Sequence, residues 1–320
     1  MTLFYVFNGD ADGLCALQQL RLVNGREGRL VTGVKRDIRL LRTVYCEPGD
    51  AITVLDISLD ENRADLLRLL DAGAAVRYFD HHHAGVVPSH PGLEAYIQEA
   101  PDVCTSSLVD SFLNHRHQGW AAVAAYGDNL RELGLQLATS ADIAADAASL
   151  ERLGILLNYN AYGSIVGDLL FNPAELARLM LPFRQPLDFI RGSPAYDELG
   201  IRYDDDMRRA RRLRPRLEIP GALLMELPDE AWARRAVGVL ANTLIQERPE
   251  SAIATAVPNG GGGYAVSVRV PDTRQIPADE FCRNFPTGNG RSRAAGINHL
   301  PSTELGRFAQ LFQDRFRSDR

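Results

Sequence analysis

The sequence predicts an α/β fold, with a parallel doubly wound sheet followed by a smaller mixed-sheet α/β domain. Three observations carry this expectation. In the first half, short apolar runs that end in acidic residues alternate with stripes at helical spacing. The second half has strand-like runs around one helix, and two of them are joined by a run of glycines. The 320 residues, 45% hydrophobic and 24% charged, suffice for two domains of ordinary size.

The elements follow in order. Leu3-Phe4-Tyr5-Val6-Phe7 reads as a strand, after which Leu14, Leu17 and Leu20 recur at helical spacing. A further strand is expected at 30–34, and Ala51-Ile52-Thr53-Val54-Leu55 is another. Ser58 and Glu61 have the spacing of a capping box, and Leu66, Leu67 and Leu70 then make an apolar helix face that ends at Gly73. Ala74 to Phe79 is the next strand, and Leu108, Val109, Phe112 and Leu113 mark the next helix. Residues 141–190 read as mostly helical, with Asn172-Pro173 as a break or a start. This β-α repetition predicts right-handed crossovers and a parallel sheet.

The first domain is therefore placed at 1–190. Residues 191–217, which include Met207-Arg208-Arg209-Ala210-Arg211-Arg212, are read as a solvated helical linker. No aromatic residues interleave with these arginines, which disfavours a nucleic-acid stripe. The second domain, 218–320, has a strand at 222–227 and a helix marked by Trp232, Ala236, Leu240 and Leu244. Two strands follow at 252–257 and 264–270, then a short helix at 277–285 and a glycine-containing loop at 288–296. In the last of these strands Tyr264, Val266, Val268 and Val270 share one face.

Composition excludes some functions. No apolar run approaches the length that spans a bilayer. The four cysteines form no CxxC pair, and the N-terminus shows no basic region with a cleavage signal. A cytoplasmic protein with reduced thiols is expected. Net charge is −6, and Lys35 is the only lysine. An acidic chain suits a small anionic substrate better than a long duplex, whose binding depends on neutralising phosphates. The sequence has no signature of an oligomeric state.

The chemistry gathers at the strand ends. Asn8-Gly9-Asp10-Ala11-Asp12-Gly13 follows the first strand, Asp56 the third, and Asp80-His81-His82 the fourth. Ligands of open parallel sheets bind outside the carboxyl ends of the strands, so these residues are expected at one rim. So many like charges cannot share a small volume unless cations neutralise them, which implies metal. Lys35, Arg36 and Arg39 stand where they reach either this rim or an exposed loop. His83 has no assigned task, and His90, His115 and His117 are read as surface histidines. Asn158-Tyr159-Asn160-Ala161-Tyr162-Gly163 is read as helix packing with a tyrosine hydroxyl at the surface. Trp120 and Trp232 are read as packing residues.

This set resembles the DHH phosphoesterase superfamily. Residues 8–13 resemble its first motif in the form found in RecJ-like nucleases, Asp56 the second, and Asp80-His81-His82 the third. Tyr126-Gly127-Asp128-Asn129 resembles the fourth, and residues 288–296 resemble the glycine-rich loop of the DHH-associated C-terminal domain. The resemblance implies two divalent cations, manganese first and magnesium as runner-up. Asp10 would ligate one ion and Asp12 the other, Asp56 would bridge them, and His81 with Asp128 would complete the second site. His82 would face the substrate phosphate, and Asp80 would orient its neighbours. Gly290, Arg291, Ser292 and Arg293 would bind substrate.

The chain departs from the pattern at two points. Asn8 replaces an aspartate, which predicts a weaker hold on the ion at Asp10. Arg291 replaces a histidine, and its planar fork matches phosphate oxygens. The expected activity is hydrolysis of very short oligonucleotides, dinucleotides foremost, to mononucleotides. The alternatives are a phosphomonoesterase, a cyclic dinucleotide phosphodiesterase, and a non-catalytic nucleotide-binding member with a decayed site.

Overall fold

The computed structural model describes residues 1–25, 27–271 and 276–318. The chain forms two compact units, one of residues 1–161 and 165–200, the other of 162–164 and 201–320. Among the described residues no helix is long and apolar enough to cross a membrane.

The first unit runs β1 (Leu3–Phe7), α1 (Ala11–Asn24), β2 (Arg29–Val31), β3 (Ala51–Leu55), α2 (Leu59–Asp71), β4 (Ala75–Asp80) and β5 (Leu93–Ile97). It continues through α3 (Thr105–Phe112), α4 (Gln118–Gly127), α5 (Arg131–Ser140), α6 (Ala147–Ala161), α7 (Pro173–Met180) and α8 (Pro186–Gly192). The five strands are all parallel, in the order β2-β1-β3-β4-β5, with helices flanking the sheet. The chain reverses its direction of travel across the sheet at β1 and β3, the switch point where such sheets open a crevice. Phe7 pairs with Leu55 and Leu55 with Phe79, so β1, β3 and β4 end level with one another. Asn8, Asp56 and Asp80 therefore stand at one height. The sheet core is closed by Val6, Val54, Tyr78, Leu66, Leu69 and Leu70, all essentially out of solvent.

Several details differ from the sequence reading. Strand β5 was not expected, because its edge position leaves Glu94, Ala95 and Tyr96 exposed and erases the apolar signal. In α2, Leu69 rather than Leu67 joins the core, and Leu67 is 39% exposed. Ser58 caps α2 by accepting the Glu61 N–H, but the Glu61 carboxylate pairs with Arg39 instead of completing the box. The α2 helix stops at a left-handed Gly73, φ 87°. Asn172 caps α7, as its Asn-Pro start predicts.

Helix α9 (Pro194–Arg211) holds the charged segment, and the division between units falls within it. The second unit has β6 (Leu217–Ile219), β7 (Ala222–Glu226), α10 (Ala231–Glu247), β8 (Ala252–Asn259) and β9 (Gly263–Arg269). It ends with α11 (Ala278–Cys282), β10 (Gly288–Gly290), β11 (Ala294–Pro301) and α12 (Leu305–Phe316). Its six-stranded mixed sheet has the order β10-β11-β9-β8-β7-β6. Val266 and Val268 of β9 enter a core that Phe281, Phe308, Phe312 and Phe316 fill from α11 and α12. Ala265 and Ser267 are buried too, so both faces of β9 are covered. The expected glycine-containing loop at 288–296 is instead a hairpin. Asn289 pairs with Gly296 and Gly290 with Ala295, and the Arg291 N–H donates to the Ala294 carbonyl at 2.8 Å.

Candidate metal centre

The centre forms where β1, β3 and β4 end. The turn after β1 is tight: a Cβ at Gly13 would collide with the Asn8 carbonyl, so only glycine lets α1 start there. Asp10 caps α1 by accepting the Gly13 N–H at 3.2 Å. Asp56 leaves β3 in the left-handed region, φ 59°, a conformation that aspartate tolerates better than most residues. Asp12, Asp56, Asp80, Asp10 and Asn8 are all buried.

Most of these side chains have a positioning partner. The Asp12 carboxylate accepts the N–H groups of Thr105 and Ser106, both at 2.7 Å, at the N-terminus of α3. Thr105 also donates its hydroxyl to Asp56 Oδ1 at 3.1 Å. His81 Nδ1 lies 2.7 Å from the Val103 carbonyl. A carbonyl can only accept, so Nδ1 carries the proton and Nε2 presents a lone pair. That nitrogen lies 3.5 Å from Asp56 Oδ1, 3.7 Å from Asp128 Oδ2 and 3.9 Å from Asp12 Oδ2. A cation bound among them would accept this lone pair and offset the carboxylates.

Asp128 caps the C-terminus of α4, and α4 packs on α1. Gly127 permits this approach, since a Cβ there would sit 2.6 Å from the Ala11 methyl. Asn158 of α6 ties the same two segments: its Oδ1 accepts the Ala11 N–H at 2.9 Å and its Nδ2 donates to the Gly127 carbonyl at 2.5 Å. His82 Nδ1 meets Asp80 Oδ1 at 2.7 Å, which orients the ring, and the side chain is 40% exposed.

The electrostatics separate the acids. Burial, then Asp128 and Asp10, pushes Asp12 up to about 8. Burial, then Asp10, Asp12 and Asp128, raises Asp56 well above the usual carboxylate range. Burial also works to raise Asp10, but the charge and hydrogen bond of Lys35 outweigh it and hold Asp10 below its ordinary value. Asp12 thus lacks the neutralising charge that Asp10 has, and at Asp56 the charge of Lys35 is outweighed by burial and the neighbouring acids.

Among the described residues two groups have metal-ligand spacing, Asp12–His81–Asp128 and Asp56–His81–His82, each with ligand atoms within 4.8 Å of one another. Carboxylates with a single imidazole suit a divalent ion such as manganese or magnesium. In the second group His82 Nδ1 already meets Asp80, so only Nε2 of that ring is left for an ion. The Asn8 Oδ1 atom is buried with no hydrogen-bond partner among the described residues.

The structure thus brings together Asp12, Asp56, His81, His82, Asp80 and Asp128, with Asn8 and Asp10 on the same turn. Gly290, Arg291, Ser292 and Arg293 lie apart in sequence, exposed on the β10–β11 hairpin of the second unit. His117 is buried, contrary to expectation; in the 158–163 segment Tyr159 is wholly buried and Tyr162 half-buried. Sequence reasoning missed Thr105, Ser106, Val103 and Asn158, which act largely through backbone groups or across long separations. It left Lys35 open between the rim and an exposed loop, although its being the sole lysine was a signal.

No protein-family profile and no curated protein matches the chain in sequence. Solved structures do match its fold. The exonuclease RecJ bound to manganese is 18% identical with a TM-score of 0.64, over 98% of this chain and 89% of that one. RecJ in complex with Mn2+ from Thermus thermophilus is 19% identical with a TM-score of 0.68, over 98% of this chain, which spans 51% of the Thermus protein. The pGpG-specific phosphodiesterase PggH from Vibrio cholerae is 14% identical with a TM-score of 0.55, over 97% of this chain and 99% of that one. The chain has the fold of the DHH phosphoesterases.

Proposed function

We propose that the chain is a metal-dependent phosphodiesterase that cleaves very short oligonucleotides, dinucleotides foremost, to mononucleotides. The observation that carries this reading is the His81 Nε2 lone pair set among Asp12, Asp56 and Asp128 at 3.5–3.9 Å. A divalent ion bound there supplies Lewis acidity for a phosphoryl oxygen and a ligated water of lowered pKa. Thr105 and Ser106 hold Asp12 in place, and Val103 fixes the His81 tautomer. Asp80 orients His82 through Nδ1, which leaves Nε2 to exchange a proton with a phosphate or leaving-group oxygen. Arg291, Ser292 and Arg293, exposed beside Gly290, are suited to grip a terminal phosphate. The PggH name supports a dinucleotide substrate, because its whole length aligns with this chain.

The test is a panel of 5′-phosphorylated oligonucleotides, two to ten residues long, assayed with Mn2+ beside a nitrophenyl phosphodiester, a phosphomonoester and a cyclic dinucleotide. Turnover fastest on dinucleotides is expected. Preference for decamers, the monoester or the cyclic compound would overturn the substrate assignment. Arg291→Ala should cut kcat/KM on dinucleotides about a hundredfold, the equivalent of roughly 2–3 kcal/mol, and spare the nitrophenyl ester. Equal losses on both substrates would refute the phosphate grip.

A further inference from the structure

One carboxylate of the cluster is already served by a cation of the chain itself. The Lys35 ammonium pairs with Asp10 Oδ2, and the other Asp10 oxygen accepts the Gly13 N–H. Lys35 is held there by its own backbone, whose N–H donates to the Ala161 carbonyl at the end of α6 at 2.9 Å. Only 29% of its side chain is exposed. Asp10 belongs to neither group with metal-ligand spacing. Asn8, two residues before it, offers a neutral amide oxygen, which does little to hold a divalent ion against an ammonium.

Both of those groups, moreover, draw on His81. Its Nδ1 is committed to Val103, so each group needs the same Nε2 lone pair. One lone pair serves one ion. We propose that this centre holds a single divalent ion, on Asp12, His81 and Asp128 with Asp56 beside them, and that the Lys35 ammonium takes the place of a second metal at Asp10.

The inference rests on the phosphodiesterase reading and deepens it. A centre with one ion and one ammonium still places two cations at the rim. Lysine binds phosphate as a point charge, so Lys35 would add its charge to that of the ion toward a bound phosphate.

The experiment counts ions on the full chain by calorimetric titration with Mn2+, and reads the bound Mn2+ by electron paramagnetic resonance. The wild type should bind one ion and give the signal of an isolated Mn2+. Lys35→Met and Lys35→Gln remove the charge and should admit a second ion, visible as a spin-coupled pair. Lys35→Arg keeps a cation and should stay at one. Two ions in the wild type or in Lys35→Arg would overturn the inference and leave the phosphodiesterase reading intact. One ion in both neutral variants, folded by circular dichroism, would also overturn it. A wild type that binds no ion would defeat both readings.

Discussion

His81 shows how much chemistry a single hydrogen bond decides. Were Nδ1 not tied to the Val103 carbonyl, the ring could turn a proton toward Asp12, Asp56 and Asp128 and neutralise them itself. With that tautomer excluded, the neutral form of the ring turns a lone pair toward the three carboxylates, the arrangement that suits a bound divalent ion. Two residue-level predictions follow from the same logic. Asp56→Asn removes a buried carboxyl whose ionisation burial and its acidic neighbours oppose, while keeping an oxygen for the Thr105 hydroxyl. In chelator it should stabilise the protein by on the order of 1 kcal/mol, or roughly 2–4 °C in Tm for a unit of this size, while Mn2+-dependent turnover disappears. A drop in Tm together with retained turnover would contradict the account. Asp80→Asn instead disturbs the proton on His82 without touching the groups around His81. It should lower kcat by about 10²–10⁴ and leave the Mn2+ stoichiometry unchanged. Lost metal binding would move Asp80 into the ligand set.

At the level of elements, the site depends on four segments meeting: the start of α1, the end of β3, the end of β4 and the end of α4. The first three were legible in the sequence, because apolar runs that end in acids mark the carboxyl ends of parallel strands. The level ending of β1, β3 and β4 then follows from sheet register. Asp128 was legible only through its motif, since it ends a helix whose buried residues are mostly alanine and glycine and carry no strand signal. Asn158 was not legible at all. It lies 147 residues from Ala11, and an asparagine in a helix shows no pattern that reveals which backbone groups it serves. Its role gives a sharp expectation. Asn158→Ala leaves the Ala11 N–H and the Gly127 carbonyl buried without their partner. The cost should be about 2–4 kcal/mol, because each unsatisfied buried group costs about 1–3 kcal/mol. Since α1 and α4 carry Asp12 and present Asp128, Mn2+ affinity should weaken as well. Chemical denaturation and calorimetry on the same variant test both halves. An Asn158→Ala protein with native metal affinity would show that α1–α4 packing positions the site without this residue. Strand β5 escaped the sequence reading because it is an exposed edge, whereas α12 carries a clear helical stripe, Leu305, Phe308, Phe312 and Phe316, that the reading did not follow.

For the whole molecule, a cluster of buried acids couples pH, metal and stability. Asp12 is raised to about 8 and Asp56 well above its ordinary range, chiefly by burial and then by neighbouring carboxylates. A group whose folded pKa is raised contributes stability that is complete below its unfolded pKa, near 3.8, and is lost as pH climbs through the folded value. Asp10, held down by Lys35 against its burial, has the opposite sign and loses its contribution only in acid, below 3.8. Between about pH 4 and 8 the first effect therefore governs, and the chelated protein should become steadily less stable. Divalent metal reverses the slope, because its ligands must be deprotonated and its affinity rises with pH. Excess ligand stabilises by RT ln(1 + [L]/Kd), so the gap in Tm between Mn2+-loaded and chelated protein should widen from about pH 5 to about pH 8. The gain should also be local. Asp12, Asp56, His81 and Asp128 are far apart in sequence, and an ion on them would cross-link α1, β3, β4 and α4. Hydrogen exchange near neutral pH should slow in these elements on adding Mn2+, and the β8–β9 ladder should change least. A Tm gap that stays flat with pH, or protection spread evenly over both units, would show that the acids are neutralised by something other than a bound ion.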